Sequence, residues 1–282
     1  LNKWIIGARP RTLPAAIAPV AVATALAGDQ VNYLLATIAL LVSLSLQVGV
    51  NYANDYSDGI KGSDENRVGP IRLVASGLAA ANSVKYAAFI SFAVAAAFGL
   101  FLATVTSYWL IAIGAASIVA AWTYTGSKRP YGYLGFGEIS VFIFFGLVAT
   151  MGTYYVQTES ITWVSFIAAI PMGALSCAIL VINNIRDRAQ DELVGKRTLA
   201  VRMGDLRARQ LYIALIALAF IAALSIPGEK TLLVVALIPQ SFLIIQKVRN
   251  GASDAALIPL LGKTGQLQLW FAIALSIALA IN

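Results

Sequence analysis

Nine apolar runs divide this chain, at residues 12–28, 32–52, 83–105, 108–125, 137–156, 162–182, 210–226, 231–246 and 264–281. Each is close to the roughly 20 residues that a helix needs to cross the hydrocarbon core of a bilayer. In that medium every backbone N–H and C=O must find a partner within its own segment or in a closed barrel, and long continuous apolar runs meet the demand as helices. Charge is correspondingly scarce. Asp, Glu, Lys and Arg make up 12% of the chain, where soluble domains carry about 25%. The expectation is an all-α integral membrane protein of about nine transmembrane helices in one bundle. No gap between runs has room for a second core, so residues 1–282 read as a single transmembrane domain. The opening "RPRTLPAAIAPVAVATALAG" reads as the first membrane helix, not as a cleavable signal.

The charges that remain are placed unevenly. The chain has 20 Lys and Arg against 13 Asp and Glu, a net charge of +7. In a soluble protein that excess points to nucleic acid. Here it points to the positive-inside bias and to anionic lipid headgroups, with no nucleic-acid partner. With the N-terminus inside and nine crossings, every Lys and Arg except Lys230 falls on the cytoplasmic side, and the C-terminus lies outside. The same count puts both acid-rich stretches on the cytoplasmic face. The expected location is the cell (inner) membrane, multi-pass, with no obligate protein partner implied. The chain has no His, and its one Cys, Cys177, lies in an apolar run, so an intramolecular disulfide is excluded.

The two acid-rich stretches are "NYANDYSDGIKGSDENRVGPIRLVASG", residues 51–77, and "NNIRDRAQDELVGKRTLAVRMG", residues 183–204. Asp187 and Asp191 are four apart and share one helical face, with Asn183 a turn earlier on the same stripe. In the first stretch Asn51, Asn54 and Asp58 form a stripe that Gln47 extends a turn deeper, and Asp55 stands three before Asp58. Polar residues inside a spanning segment are costly and usually face a functional interior. Like charges one turn apart repel, and a cation between them relieves the conflict. With oxygen donors and no His, the candidates are Mg2+ and Ca2+. Lys61, Arg67 and Arg72 flank the first cluster, and Arg186, Lys196 and Arg197 the second. Carboxylates interleaved with Arg and Lys, without a Walker loop, fit a metal-bridged diphosphate held by charge-assisted hydrogen bonds. Asn51 and Asn183 join Lys61, Arg67, Arg72, Arg186 and Lys196 as candidate substrate-binding residues.

"NDYSDGIKGSD" together with "NNIRDRAQD" resembles the paired Asp-rich motifs of the UbiA superfamily of intramembrane aromatic prenyltransferases. "GARPRTLPAAIAPV", "NRVGPIRLVASG" and "GKRTLAVRMGD" are similar to the menaquinone-pathway branch, the 1,4-dihydroxy-2-naphthoate polyprenyltransferases, and the resemblance runs from about residue 4 to the C-terminus. It implies that Asn54 and Asp58 bind one Mg2+, with Asp55 nearby, and that Asp187 and Asp191 bind another. "YTGSKRPYG" resembles the superfamily's Tyr-plus-Lys motif, which implies that Tyr124 and Lys128 face the diphosphate and the nascent allylic cation, with Arg129 beside them. The superfamily's first motif usually has a third Asp seven residues after the first. Here that position is Gly62, and the third carboxylate is Asp64, counted with Tyr124 and Lys128 as a candidate catalytic residue.

The implied reaction is Mg2+-dependent transfer of a polyprenyl chain from an allylic diphosphate to 1,4-dihydroxy-2-naphthoate with loss of carbon dioxide, giving a demethylmenaquinone precursor. The lipid bilayer surrounds the enzyme, and its active site opens to the cytoplasm. The tail would lie between helices, where Gly49, Gly99, Gly114, Gly146 and Gly173 permit close packing or leave room. One alternative keeps the fold and changes the acceptor to 4-hydroxybenzoate or homogentisate, or the donor to a phytyl chain. Another is a cation-coupled transporter, but transporters place ionisable groups near the midplane, and here the acids sit at helix ends beside Arg and Lys.

The charge asymmetry predicts sidedness. A single-Cys reporter at position 230 should be labelled by an impermeant reagent from outside the cell, and reporters at 61 and 196 only from inside. Labelling of position 61 from outside would overturn the nine-helix reading.

Overall fold

A computed structural model describes residues 2–63 and 69–281. All nine apolar runs lie on helical segments, and no strand occurs among the described residues. A short helix α1 (Lys3–Ala8) precedes α2 (Pro14–Leu26), α3 (Tyr33–Ile60), α4 (Ala81–Val105) and α5 (Trp109–Thr123). Then α6 (Gly137–Val141), a π-helical segment (Phe142–Val148) and α7 (Ala149–Thr158) form one continuous rod. The remainder is α8 (Trp163–Leu193), a short α9 (Leu199–Met203), α10 (Asp205–Leu224), a 3-10 segment (Glu229–Leu237) continued by α11 (Ile238–Arg249), and α12 (Leu257–Ala280). Six segments are long and apolar enough to cross a membrane: α3, α4, the 137–158 rod, α8, α10 and Glu229–Arg249. The apolar helices α2 and α5 are shorter.

Local chemistry sets the helix starts. Asn32 caps α3, its side-chain oxygen accepting from the N–H groups of Leu34 and Leu35 at 3.0 and 3.2 Å. Thr162 and Ser165 form a reciprocal capping box at the start of α8. Between α1 and α2 the chain turns at Arg9, whose φ of 51° is left-handed, and Pro14 opens α2. The helices α3 and α8 continue past the ends of their apolar runs, to Ile60 and Leu193. Asp55 and Asp58, and Asp187 and Asp191, therefore sit on the last turns of the two longest helices, not in the connecting loops.

The bundle is built around α8. It packs on α2, α10, α12 and the 137–158 rod, and Met172, Ala174, Leu175 and Ala178 are fully enclosed. In lipid, helices associate through close packing, not through escape from water, and glycine is what permits the closest approaches. A Cβ on Gly146 would lie 2.5 Å from the Gly173 Cα, and one on Gly49 would lie 2.5 Å from the Phe92 ring. Gly99 and Gly114 differ: an added Cβ there meets nothing within 4 Å, and both line an internal cavity. The five glycines thus divide between packing and room.

That division predicts stability. Gly146→Val should lower the Tm of the detergent-purified protein, because overpacking costs about 1–3 kcal/mol. Gly114→Ala should leave Tm unchanged or raise it, since Ala favours a helix interior by about 0.5–1 kcal/mol over Gly. Equal losses from both, followed by thermal unfolding in one detergent, would refute the distinction.

Candidate active site

The ends of α3 and α8 open on one cavity of about 350 Å3. Its polar end is lined by Asn51, Asn54 and Asp58 from α3 and by Asn183, Asp187 and Asp191 from α8. Both polar stripes read from the sequence therefore face the same space. Gln47, a turn deeper, lines it too. Away from the carboxylates the wall becomes apolar and ends among Val20, Ala39, Leu102, Leu110 and Val156, which belong to one hydrophobic cluster. The π segment contributes consecutive phenylalanines, Phe144 and Phe145. A π turn widens the local winding and often marks a functional site.

The carboxylates carry counter-charges from elsewhere in the chain. Asp58 is buried and meets the Lys196 ammonium at 3.1 Å, the Arg72 guanidinium at 4.0 Å and the Tyr133 hydroxyl, which donates to it. The Tyr133 ring lies between two lysines, with Lys196 Nζ 4.6 Å and Lys61 Nζ 4.9 Å from its centroid, close enough for cation–π attraction. Arg186 forks onto Asp187, with Nε and Nη2 each 2.7 Å from a carboxylate oxygen, and Nη2 also donates to Asn183 Oδ1 at 2.7 Å. Asn54 Oδ1 accepts from the Thr125 hydroxyl at 2.8 Å. Partial burial lowers the pKa of Lys61; Asp58 acts against this and Lys196 adds to it.

The candidate residues do not all belong to this space. Asn51, Asn54, Asp58, Arg72, Tyr124, Asn183, Asp187, Asp191 and Lys196 line the cavity. Arg186 stands behind Asp187. Lys61 bridges α3 to the end of α5, donating to Thr125 O at 2.6 Å. Lys128 and Arg129 differ from expectation: they are exposed on the loop and absent from the cavity wall, which takes its lysine from Lys196 instead. Asp55 also differs. It is fully buried, and its two oxygens accept from the backbone N–H groups of Leu73 (2.9 Å) and Val74 (3.0 Å). Its carboxylate is committed to the following loop, which lies close enough that a Cβ on Gly59 would meet Val74 at 2.5 Å. The effect is to seat Arg72, the adjacent residue, against Asp58. Asp64 and Arg67 lie outside the described residues.

Several residues at the site carried little signal in the sequence. Arg9 lines the cavity from the α1–α2 turn and donates to Asn51 O at 3.2 Å. The Asn51 amide in turn donates to Ala8 O (2.9 Å) and Thr12 Oγ1 (3.0 Å), so this stripe residue also ties down the turn. Tyr133, Thr125 and Asn184 sit in or between motifs but outside any acid pattern. Tyr131 donates to Ala120 O at 2.8 Å, and burial raises its pKa while a Ser140 hydrogen bond opposes the rise.

The UbiA prenyltransferase family pattern matches residues 16–256. The 1,4-dihydroxy-2-naphthoate octaprenyltransferase of Mycobacterium tuberculosis is 49% identical over 286 residues, covering 99% of this chain and 97% of its own. Its Bacillus subtilis namesake is 32% identical over 283 residues, covering 97% and 91%. Among solved structures, a UbiA homologue from Archaeoglobus fulgidus bound to DMAPP and Mg2+ superposes with a TM-score of 0.72 at 14% identity, covering 99% of each chain.

The place found for Asp55 generates its own test. Asp55→Ala should speed hydrogen exchange at the Leu73 and Val74 amides by about tenfold or more, because hydrogen bonds to a charged acceptor are worth about 1.5–3 kcal/mol. Exchange in α8 should not change. Unaltered protection at Leu73 and Val74 would show that the loop is held by other contacts.

Proposed function

The chain belongs to the UbiA prenyltransferase family and is a prenyltransferase, and from that premise we propose its reaction. It transfers a polyprenyl chain from an allylic diphosphate to 1,4-dihydroxy-2-naphthoate, with Mg2+ and with release of carbon dioxide. The observation that carries this reading is the shape of the cavity: two acid-bearing helix ends at one pole and an apolar wall over the rest. The naphthoate octaprenyltransferases that are 49% and 32% identical to it favour the naphthoate over other aromatic acceptors.

The donor atoms suit a hard cation. Asn54, Asp58, Asp187 and Asp191 offer oxygen only, the chain has no His, and the Cys177 thiol is buried and donates to Glu138 O. Among the described residues no three or more His, Cys, Asp or Glu side chains come together as a metal cluster. Mg2+ does not require one: it takes one or two carboxylates and leaves the other positions to water and phosphate. Asn54 with Asp58, and Asp187 with Asp191, would hold the ions; Asp55 is left out because its oxygens hold the loop. When bound, the ions would neutralise the diphosphate and make it a better leaving group.

The chain's own residues do the rest. Lys196 and Arg72 stand at the polar pole as cations available to the diphosphate as well as to Asp58. The apolar wall receives the tail and excludes water from the reacting carbon. Tyr124 presents an aromatic ring to the same space, which favours a developing allylic cation. The carbon–oxygen bond of the donor breaks, diphosphate leaves with that electron pair, and the ring carbon of the acceptor supplies the pair for the new carbon–carbon bond. That carbon's bond to the carboxylate then breaks and restores aromaticity as carbon dioxide leaves. No proton is consumed or released, consistent with a site that has no His.

The protein is a multi-pass membrane protein. We read it as one domain over residues 1–282 in the cell membrane, with nine crossings, the N-terminus inside, the C-terminus outside and the cavity's polar pole at the cytoplasm. Contacts between helix ends support the alternation. At one end Lys61 meets Thr125 O and Arg209 donates to Val248 O. At the other end Asn32 N–H donates to Gln157 Oε1 at 2.7 Å.

Purified protein given the naphthoate, a long-chain allylic diphosphate and Mg2+ should release diphosphate and carbon dioxide one for one, and EDTA should stop it. Asp58→Ala and Asp187→Ala should each lower kcat by about 10²–10³-fold with the fold intact. A product that keeps its carboxylate, or activity with 4-hydroxybenzoate and none with the naphthoate, would sink the acceptor assignment. Near-normal turnover of either variant would remove that carboxylate from the site.

A further inference from the structure

Behind the cavity wall lies a carboxyl group that the proposed reaction does not use. Glu138, on the first turn of α6, is 8% exposed and has no basic partner among the described residues. Its Oε1 accepts from Asn184 Nδ2 at 3.0 Å, and its Oε2 is buried with no hydrogen-bond partner. A buried carboxyl oxygen left without a partner is a cost that folded proteins rarely keep without a use. Asn184, its one side-chain partner, lines the cavity, as do Asn183 and Tyr124. Tyr124 closes over the same place: a Cβ on Gly137, the residue before Glu138, would lie 3.0 Å from the Tyr124 hydroxyl.

The contact dictates which end of the Asn184 amide faces the substrate. An ionised carboxylate only accepts hydrogen bonds, and a carboxyl protonated on Oε2 still accepts at Oε1. In both states the amide turns its NH2 to Glu138, and its carbonyl oxygen is the polar atom left to the cavity. Without Glu138 the amide could present either end. We infer that Glu138 is a positioning residue that orients Asn184 so that Oδ1 accepts a hydrogen bond from a phenolic hydroxyl of the aromatic acceptor. This rests on the reading of the cavity as a prenyltransferase site for a hydroxylated aromatic acid and extends it to the residues that recognise the hydroxyl. A site built to pair with a hydroxyl discriminates against the same ring without that donor, because its own acceptor is left unpaired.

The test is direct binding, independent of turnover, with two probes: 1-hydroxy-2-naphthoate and 1-methoxy-2-naphthoate, titrated calorimetrically into detergent-purified protein. The wild type should prefer the hydroxyl probe by about tenfold, within the cost of leaving one buried acceptor unpaired. Asn184→Leu should erase that preference. Glu138→Leu should reduce it to below about threefold, and Glu138→Gln, which can still accept at the same place, should restore most of it. Affinity for the allylic diphosphate should be unchanged in all three. Should Glu138→Leu fail to fold, Glu138→Met tests the same point, since it keeps the side chain's length and its thioether accepts only weakly. If Glu138→Leu or Glu138→Met keeps the wild-type preference, or lowers both probes and the diphosphate alike, the inference is overturned. Failure of the wild type to turn over the naphthoate would instead sink the reaction proposed above, and the two failures are read in separate experiments.

Discussion

A carboxylate at the rim of a membrane must be given its counter-charge, and the rest of the site is arranged around that need. Asp58 at the end of α3 meets Lys196, which follows α8, at 3.1 Å. Asp187 on α8 takes the fork of Arg186. The first pair joins the two halves of the chain across the cavity; the second belongs to α8 alone. Buried pairs of this kind give back much of their Coulombic gain as lost hydration. They are better understood as holding a site ready than as sources of stability. On the reading proposed above, an arriving diphosphate would find Lys196 and Arg72 already in place beside the carboxylates.

Much of the fold was legible because a bilayer leaves a chain few options. All nine apolar runs are helical, and two stripes of Asn and Asp at helical spacing face one cavity. The ends of α3 and α8 were harder to see. Hydropathy falls where the stripes begin, yet the helices continue, since the stripe residues are buried against partners such as Thr12, Thr125 and Arg186. Spacing could not separate Asp55 from Asp58. Both sit within one turn, and only the return of the loop at Leu73 and Val74 decides that one serves the backbone and the other the cavity. Lys128 and Lys196 posed the same difficulty. Each is a basic residue next to a motif, and the choice between them depends on which connection folds back over the site.

The glycines show how the same residue serves two ends. Where helices must touch, as at Gly146 against Gly173, the missing side chain lets backbones meet. Where Gly99 and Gly114 line the cavity, it leaves a wall without obstruction. Nothing in the local sequence marks the difference, because both kinds lie in apolar helices. The π segment that contains Gly146 brings Phe144 and Phe145 to the wall together.

The lengths of the helices explain why the polar pole is where it is. A helix of about 20 residues crosses the hydrocarbon, and α3 has 28 residues and α8 has 31. At 1.5 Å per residue α3 exceeds the crossing length by about 12 Å. In a bilayer that excess would be enough to lift the last two turns, with Asn54 and Asp58, out of the hydrocarbon while the same helix continues downward as an apolar wall. An allylic diphosphate has the same division: a highly charged head that cannot enter hydrocarbon and a tail that cannot leave it. A site at the midplane would strip the head of its hydration without compensation, and one wholly in water would expose the tail. On the proposed reading, long helices that end in carboxylates would meet both demands in a single continuous element.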